Sequence, residues 1–340
     1  MPESYFHLSA KDQADALAAG ASASGRPPHL LEKDIWVVWT LSTLFESELG
    51  AHLVFKGGTA LSKAYKVIQR FSEDVDLTYD IRALAPDLVA GAPEGIDAIP
   101  PSRSQTKRWT DVIRNELLPA WIRDRAQPIV QAELDRLGVG TSRITQDCIF
   151  IDYPPVAAVS SYALPRVKLE FGARSSGEPS TVLQVRCDLE KFLPDLEFPC
   201  ANPRVMNIAR IFWEKATAAH VYCLQAGVGL SDRFSRHFHD LARLNERGYL
   251  AAAIAAKDVA EAVGVHKNAF FAEKDSEGQW IDYLEAIDKG LTIVPTGRAY
   301  DALREDYQSM VVDGLLLDDT ETFEELMAQC VIIQQRTCIL

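Results

Sequence analysis

Between Leu53 and Asp80 the chain passes through an apolar triplet, Leu53-Val54-Phe55, and a glycine pair, Gly57-Gly58. A stretch suited to a helix follows from Ala60 to Ile68, then a run from Asp74 to Asp80 in which polar and apolar residues alternate. The triplet and the alternation predict strands, and the glycine pair predicts a turn into a helix that Thr59 caps. The order strand, glycine turn, helix, strand makes this part of the chain a mixed α/β unit. It also sets two features of phosphate chemistry side by side.

On the second strand a period of two points Asp74 and Asp76 to one face, while Val75 and Leu77 point to the other and into a core. Two close carboxylates repel each other, and a divalent cation relieves that repulsion. Mg²⁺, or Mn²⁺ in its place, takes hard oxygen ligands, usually one or two protein carboxylates beside water and substrate phosphate. Upstream, Gly57, Gly58 and Thr59 stand where a backbone without bulky side chains approaches a triphosphate, and the helix amino terminus adds unpaired N–H groups. Each piece alone has a plain reading, an acidic strand end or a tight turn. Together they predict a phosphate cradle beside a metal site whose ligands are Asp74 and Asp76.

The rest of the chain divides by pattern. Helices are expected at roughly His7 to Ala19 and Leu30 to Leu49, separated by Gly25-Arg26-Pro27-Pro28. After a Pro/Gly-rich stretch from Ala85 to Pro101, Thr106 to Leu137 reads as helical with interruptions at Pro119 and Pro128. Strands are expected at Ile144 to Tyr153, Arg166 to Ala173 and Thr181 to Asp188. From Pro203 the pattern turns helical, with Val205 to Gln225, Arg236 to Arg247, Leu250 to Val263 and Thr322 to Gln335. We expect an α/β (α+β) domain over residues 1–200, including the amino-terminal helices, and a helical domain over 201–340.

With 340 residues, 47% hydrophobic and 24% charged, the chain can bury a sizeable core in one large or two modest domains. No apolar run approaches the ~18 residues of a membrane span, and Met1 to Ala10 lacks the layout of a signal peptide. The expectation is a cytoplasmic protein with no membrane partner. Six cysteines without a CxxC pair are expected as reduced, mostly buried thiols. A net charge of −13 argues against a protein coated in nucleic acid, yet the charge is uneven. From Ala251 onward seven Lys/Arg stand against seventeen Asp/Glu, whereas Arg204 to Arg247 is locally basic. A second basic stretch, Arg103, Lys107, Arg108, Arg114, Arg123 and Arg125, reads equally as a phosphate-facing surface or a solvated helix face.

The run Phe55-Lys-Gly-Gly-Thr-Ala-Leu-Ser-Lys63, followed by Arg70-Phe-Ser-Glu-Asp-Val-Asp-Leu77, closely resembles the first motif of the AbiEii/AbiGii toxin family. The likeness continues through Glu32 to Val37, Val167 to Arg174, Phe212 to His220 and Arg236 to Leu241, so it spans roughly residues 30–245. The gap between glycines and aspartates is longer than in many polymerase β-like enzymes and normal for this family. The resemblance implies a DNA polymerase β-like nucleotidyltransferase domain with a mixed sheet, followed by a helical C-terminal domain. It implies Mg²⁺-dependent transfer of a nucleoside monophosphate from an NTP to an RNA acceptor, the 3′ end of tRNA in the related MenT-type toxins. It also implies a cognate antitoxin as partner.

Further site residues follow. Glu170 shares a strand face with Lys168, opposite Val167, Leu169 and Phe171, and reads either as a third carboxylate that binds metal or takes the acceptor proton, or as half of an exposed pair. Lys215 beside Glu214 reads by itself as an ordinary surface lysine; the resemblance assigns it to nucleotide phosphate, and Asp240 to completing the site or holding that lysine. Arg233 and Arg236 near Asp240 suit a triphosphate or an RNA backbone, and Arg70 and Lys63 are further candidates for phosphate, each reading as easily as a solvated helix residue. His220, His237 and His239 are not read as a zinc site, because helix positions two apart diverge by roughly 200°. Trp36, Trp39, Phe212 and Trp213 are expected in the core. Two other readings stay open: the same fold acting on a small molecule or a protein hydroxyl, and a non-catalytic nucleotide-binding module.

Overall fold

The computed structural model describes residues 3–72, 74–158, 164–226, 233–312, 316 and 321–338. Glu73 of the motif lies outside them. The chain forms two compact units, neither continuous in sequence. The first comprises residues 1–64, 72–86 and 111–205, and the second residues 65–71, 87–110 and 206–340.

The first unit is built on a seven-stranded sheet. In chain order its strands are β1 (Leu53–Lys56), β2 (Asp74–Tyr79), β3 (Thr141–Thr145), β4 (Cys148–Asp152), β5 (Arg166–Gly172), β6 (Ser180–Val182) and β7 (Arg204–Met206). Their order across the sheet is β3-β4-β5-β2-β1-β7-β6. The sheet is mixed: β2 runs antiparallel to β1 but parallel to β5, and β7 runs parallel to β1. The alternation of β2 and β5 has the expected consequence. Val75, Leu77, Val167 and Leu169 are fully buried, while Asp74, Asp76 and Lys168 are half-buried and Glu170 is exposed.

Beneath this sheet the helix Pro28–Phe45 is buried from Leu30 to Leu41, including Glu32, Lys33 and Asp34. Proline at its first turn needs no hydrogen-bond donor there. The preceding helix Ala10–Ser24 starts on Ser9, whose hydroxyl accepts from the Asp12 N–H, and ends on Gly25 in the left-handed conformation.

Several expected boundaries shift for local reasons. The stretch expected as one strand from Ile144 to Tyr153 is a hairpin, β3 and β4, turning through Gln146, which takes a left-handed φ of 55° without the usual glycine or asparagine. Pro119 and Pro128 do not break the helical run. Segments Arg103–Val112, Ile113–Leu117, Leu118–Trp121, Ile122–Ala126 and Gln127–Leu137 follow one another, each proline sits in a first turn, and the two intervening segments are wider π turns. Thr181 to Asp188 splits into β6 and a short strand, Val185–Arg186, that pairs with Cys200–Ala201.

The second unit is helical. The helix Ile208–Leu224 starts on Asn207, whose side chain accepts from the Ala209 N–H, and is buried on nearly every side. It packs on the helices Ser235–Glu246, Tyr249–Ala255 and Lys257–Phe270. Trp213 donates its indole N–H to the Ala253 carbonyl at 2.9 Å, and the fully buried Arg210 pairs with Asp97 at 2.7 Å. Leu250 to Val263 forms two helices rather than one, broken at Ala256. The helix Phe323–Thr337 begins with a capping box between Thr322 and Glu325.

Candidate active site

The site in the first unit grows from the turn between β1 and the helix Gly57–Lys63. Lys56 ends β1 opposite Asp76 of β2, and Asp76 stands opposite Glu170 of β5 on its other side. The register thus aligns Lys56, Asp76 and Glu170 across three strands, with Asp74 opposite Lys168. Gly57 has φ +76°, and a Cβ placed there would lie 2.0 Å from Asp76 Oδ2. The Asp76 carboxylate therefore rests on the bare backbone of the glycine turn. Any side chain at position 57 would collide with it.

The helix starts earlier than its sequence suggests, at Gly57 rather than after Thr59. Thr59 is not its cap. The side chain is 1% exposed and its hydroxyl is bonded to the Asp74 carbonyl and, at 2.9 Å, to Ser72 Oγ. Thr59 ties the glycine turn to the start of the aspartate strand, a positioning role rather than direct contact with phosphate. Gly58 is buried behind the turn.

Lys63 is drawn elsewhere than the phosphate position expected for it. Its ammonium lies 2.5 Å from Asp34 and 2.7 Å from Asp188, and Arg26 also pairs with Asp188. Burial would lower the Lys63 pKa, but the two carboxylates outweigh it and raise it, so this cation is a clamp inside the unit. Asp34 also accepts the Asp188 N–H at 2.7 Å. Neither aspartate was singled out as a site residue from sequence, although the charged triplet Glu32-Lys33-Asp34 in an apolar helix was a signal of buried ion pairing.

Glu170 is in register with Asp76, but its carboxylate engages Lys168 at 2.6 Å and its side chain is 48% exposed. The Lys168 pKa is raised; burial opposes this, and the Glu170 hydrogen bond with the charges of Glu170 and Asp74 prevails. Among the described residues no group of three or more His, Cys, Asp or Glu is placed to hold a metal ion. The donors that fit are the two alternating carboxylates Asp74 and Asp76, a hard-oxygen pair of the kind Mg²⁺ uses when water and phosphate complete its shell.

A second charged cluster lies wholly within the second unit. Asp240, fully buried, accepts from Arg70 Nε at 2.6 Å and Arg70 Nη2 at 2.8 Å, and Lys215 Nζ lies 2.8 Å from its Oδ2. Burial alone would raise the Asp240 pKa, but Arg70 and Lys215 outweigh it and hold the carboxyl well below its ordinary value. Arg70, 4% exposed, is a two-pronged support for this carboxylate rather than a surface cation aimed at phosphate. Arg236 donates Nε to the Arg233 carbonyl at 3.1 Å, and the Arg233 N–H goes to Asp306 at 2.7 Å. His237 and His239 are held neutral by burial, with pKa values below the ordinary one, and His220 Nδ1 accepts the Thr292 N–H at 2.9 Å. The expected core aromatics Trp36, Trp39, Phe212 and Trp213 are buried.

A glycine turn carrying a carboxylate from the neighbouring strand, within a mixed α/β sheet and with a helical C-terminal region, is the architecture expected of a nucleotidyltransferase. The chain belongs to the family described as nucleotidyl transferase AbiEii toxin, type IV TA system, whose model matches residues 39–329. Among solved structures it is similar to MenT4, a nucleotidyltransferase toxin from Mycobacterium tuberculosis H37Rv, at 16% identity and a TM-score of 0.43, over 95% of this chain and 98% of that one. It is also similar to JHP933 from Helicobacter pylori, at 15% identity and a TM-score of 0.41, over 92% and 93%. No curated protein matches it. Among the described residues no helix is long and apolar enough to cross a membrane.

Proposed function

We propose that this toxin-family nucleotidyltransferase moves a nucleoside monophosphate from an NTP to the 3′ end of a tRNA, using Mg²⁺, and so blocks translation. The observation that carries the reading is the Asp76 carboxylate resting on Gly57, where open backbone and negative charge meet. In the reaction the acceptor hydroxyl oxygen attacks the α-phosphorus in line, the bond to the bridging oxygen breaks, and pyrophosphate leaves. Asp74 and Asp76 would hold Mg²⁺, which when bound neutralises triphosphate charge and orients the reacting groups.

The chain's own residues supply the rest. Gly57 and Gly58 let the backbone approach the phosphates, Thr59 fixes the turn against β2, and Glu170, once released from Lys168, can accept the hydroxyl proton. Lys215, fixed by Asp240, carries the phosphate-contacting role of the family pattern. Such substrates place the reaction in the cytoplasm, and a toxin of this family works against a cognate antitoxin.

The test incubates purified protein with each NTP labelled at the α-phosphate, Mg²⁺ and total tRNA. Label on tRNA, release of pyrophosphate and loss of both on chelation are expected. No label on any RNA overturns the tRNA reading, and label on protein or a small molecule reassigns the acceptor.

A further inference from the structure

Five of the six tryptophans are buried, between 0% and 8% exposed, and the sixth, Trp280, is 57% exposed. An exposed indole is unusual because its large apolar face gains from burial. Trp280 also sits at the end of a closed turn. Its backbone forms an antiparallel bridge to Lys274, and the turn between them is closed by Asp275, whose Oδ1 accepts the N–H groups of Glu277 at 2.9 Å and Gln279 at 2.8 Å. Lys274 Nζ lies 4.8 Å from the ring centroid and Arg103 Cζ 5.9 Å from it, so two cations stand beside the indole.

The indole borders a groove of about 640 Å³ within the second unit, lined among others by Pro101, Arg103, Lys107, Asn268 and Ala272. Arg103 and Lys107 are four residues apart on the helix Arg103–Val112, so they share a face. These are the first two cations of the basic stretch that the carboxylate chemistry leaves without a role. One acidic group also lines the groove, Asp282. Its carboxylate is turned to local use, accepting from Asn268 Nδ2 at 2.9 Å and from the N–H groups of Leu284 and Glu285, which cap the next helix. Glu273, next to Lys274, accepts from Gln225 Nε2 at 3.3 Å.

We propose that this groove binds a single strand of RNA, with a base stacked on Trp280 and backbone phosphates on Arg103, Lys107 and Lys274. Clustered cations on a molecule of charge −13 are complementary to a polyanion, and the open indole separates a nucleic acid from an acidic peptide, because every base offers a flat face to stack. The proposal deepens the reading of an RNA acceptor and rests on it.

The test measures anisotropy of a short fluorescein-labelled single-stranded RNA at several salt concentrations, without NTP or metal, alongside labelled polyglutamate. Wild-type protein should bind the RNA more tightly than polyglutamate. Trp280→Ala should weaken RNA binding roughly tenfold with little change in salt slope. Trp280→Phe should retain most of the binding. Replacing Arg103 and Lys107 by alanine should lower the log–log salt slope by roughly one per cation. Trp280 is exposed, so thermal midpoints should not move in its variants. Tighter binding of polyglutamate, wild-type failure to bind RNA at low salt, or Trp280→Ala binding like wild type overturns the proposal. Anisotropy without NTP or metal does not read transfer, so failure of the groove to bind RNA and failure of nucleotide transfer in the labelling assay are told apart.

Discussion

Asp76 and Asp240 are the same side chain in opposite surroundings. Asp76 is half-buried on a strand face, beside a second aspartate and against a glycine backbone. Asp240 is fully buried and held by two cations, Arg70 and Lys215. A carboxylate in the first setting lies at a half-buried strand face beside another carboxylate, the setting that the proposed metal role requires. One in the second setting has its charge matched inside the protein and serves to fix its partners. The comparison sets the aspartate proposed for chemistry against one whose charge is matched inside the fold.

Substitution can break that contrast. Asp76→Asn should reduce labelled transfer by roughly a thousandfold, the several kcal/mol a metal contributes to charge stabilisation, while the thermal midpoint holds or rises. Loss of stability with unchanged transfer would reverse the assignment. Asp240→Asn should do the opposite in kind, leaving two buried cations without their counter-charge and destabilising the fold by about 3–5 kcal/mol in denaturant titration. An unmoved midpoint would show that the cluster is not structural. Gly57→Ala probes the contact itself. The methyl would force Asp76 aside and sit at an unfavourable φ, so transfer should fall by about 10- to 100-fold and stability by about 1–3 kcal/mol, read by kinetics and melting on one preparation.

The smallest effect is in pH. His237 and His239 have pKa values lowered by burial, whereas in the unfolded chain they titrate near 6.5. The unfolded state then binds more protons below about pH 6.5, so the thermal midpoint should fall as pH drops through that value. Asp240 acts in the other window. Its depressed carboxyl contributes fully above about pH 4 and loses its contribution only as the pH falls further, towards the folded value. A midpoint that is flat between about pH 7.5 and 5.5 would mean the imidazoles are charged in the fold.

The part of the site legible in sequence is the part that rests on short spacing. Alternation from Asp74 to Leu77 needs no knowledge of the rest of the fold, and the glycine pair announces its turn directly. What was not legible depends on partners far along the chain. Arg70 and Asp240 are 170 residues apart, and no local pattern pairs them. The same holds for Lys63 and Asp188, so a lysine read as a phosphate ligand proves to be an internal clamp. The hairpin at Gln146 and the prolines absorbed by π turns were missed because tertiary packing overrode the usual local preference.

The helix behind the glycine turn is secured at both ends, by Thr59 to the aspartate strand and by Lys63 to Asp34 and Asp188. It resembles a beam bolted at two supports. The bend at its front is thereby tied to the sheet and to the buried helix at once, so the seat proposed for the nucleotide is anchored before any ligand arrives.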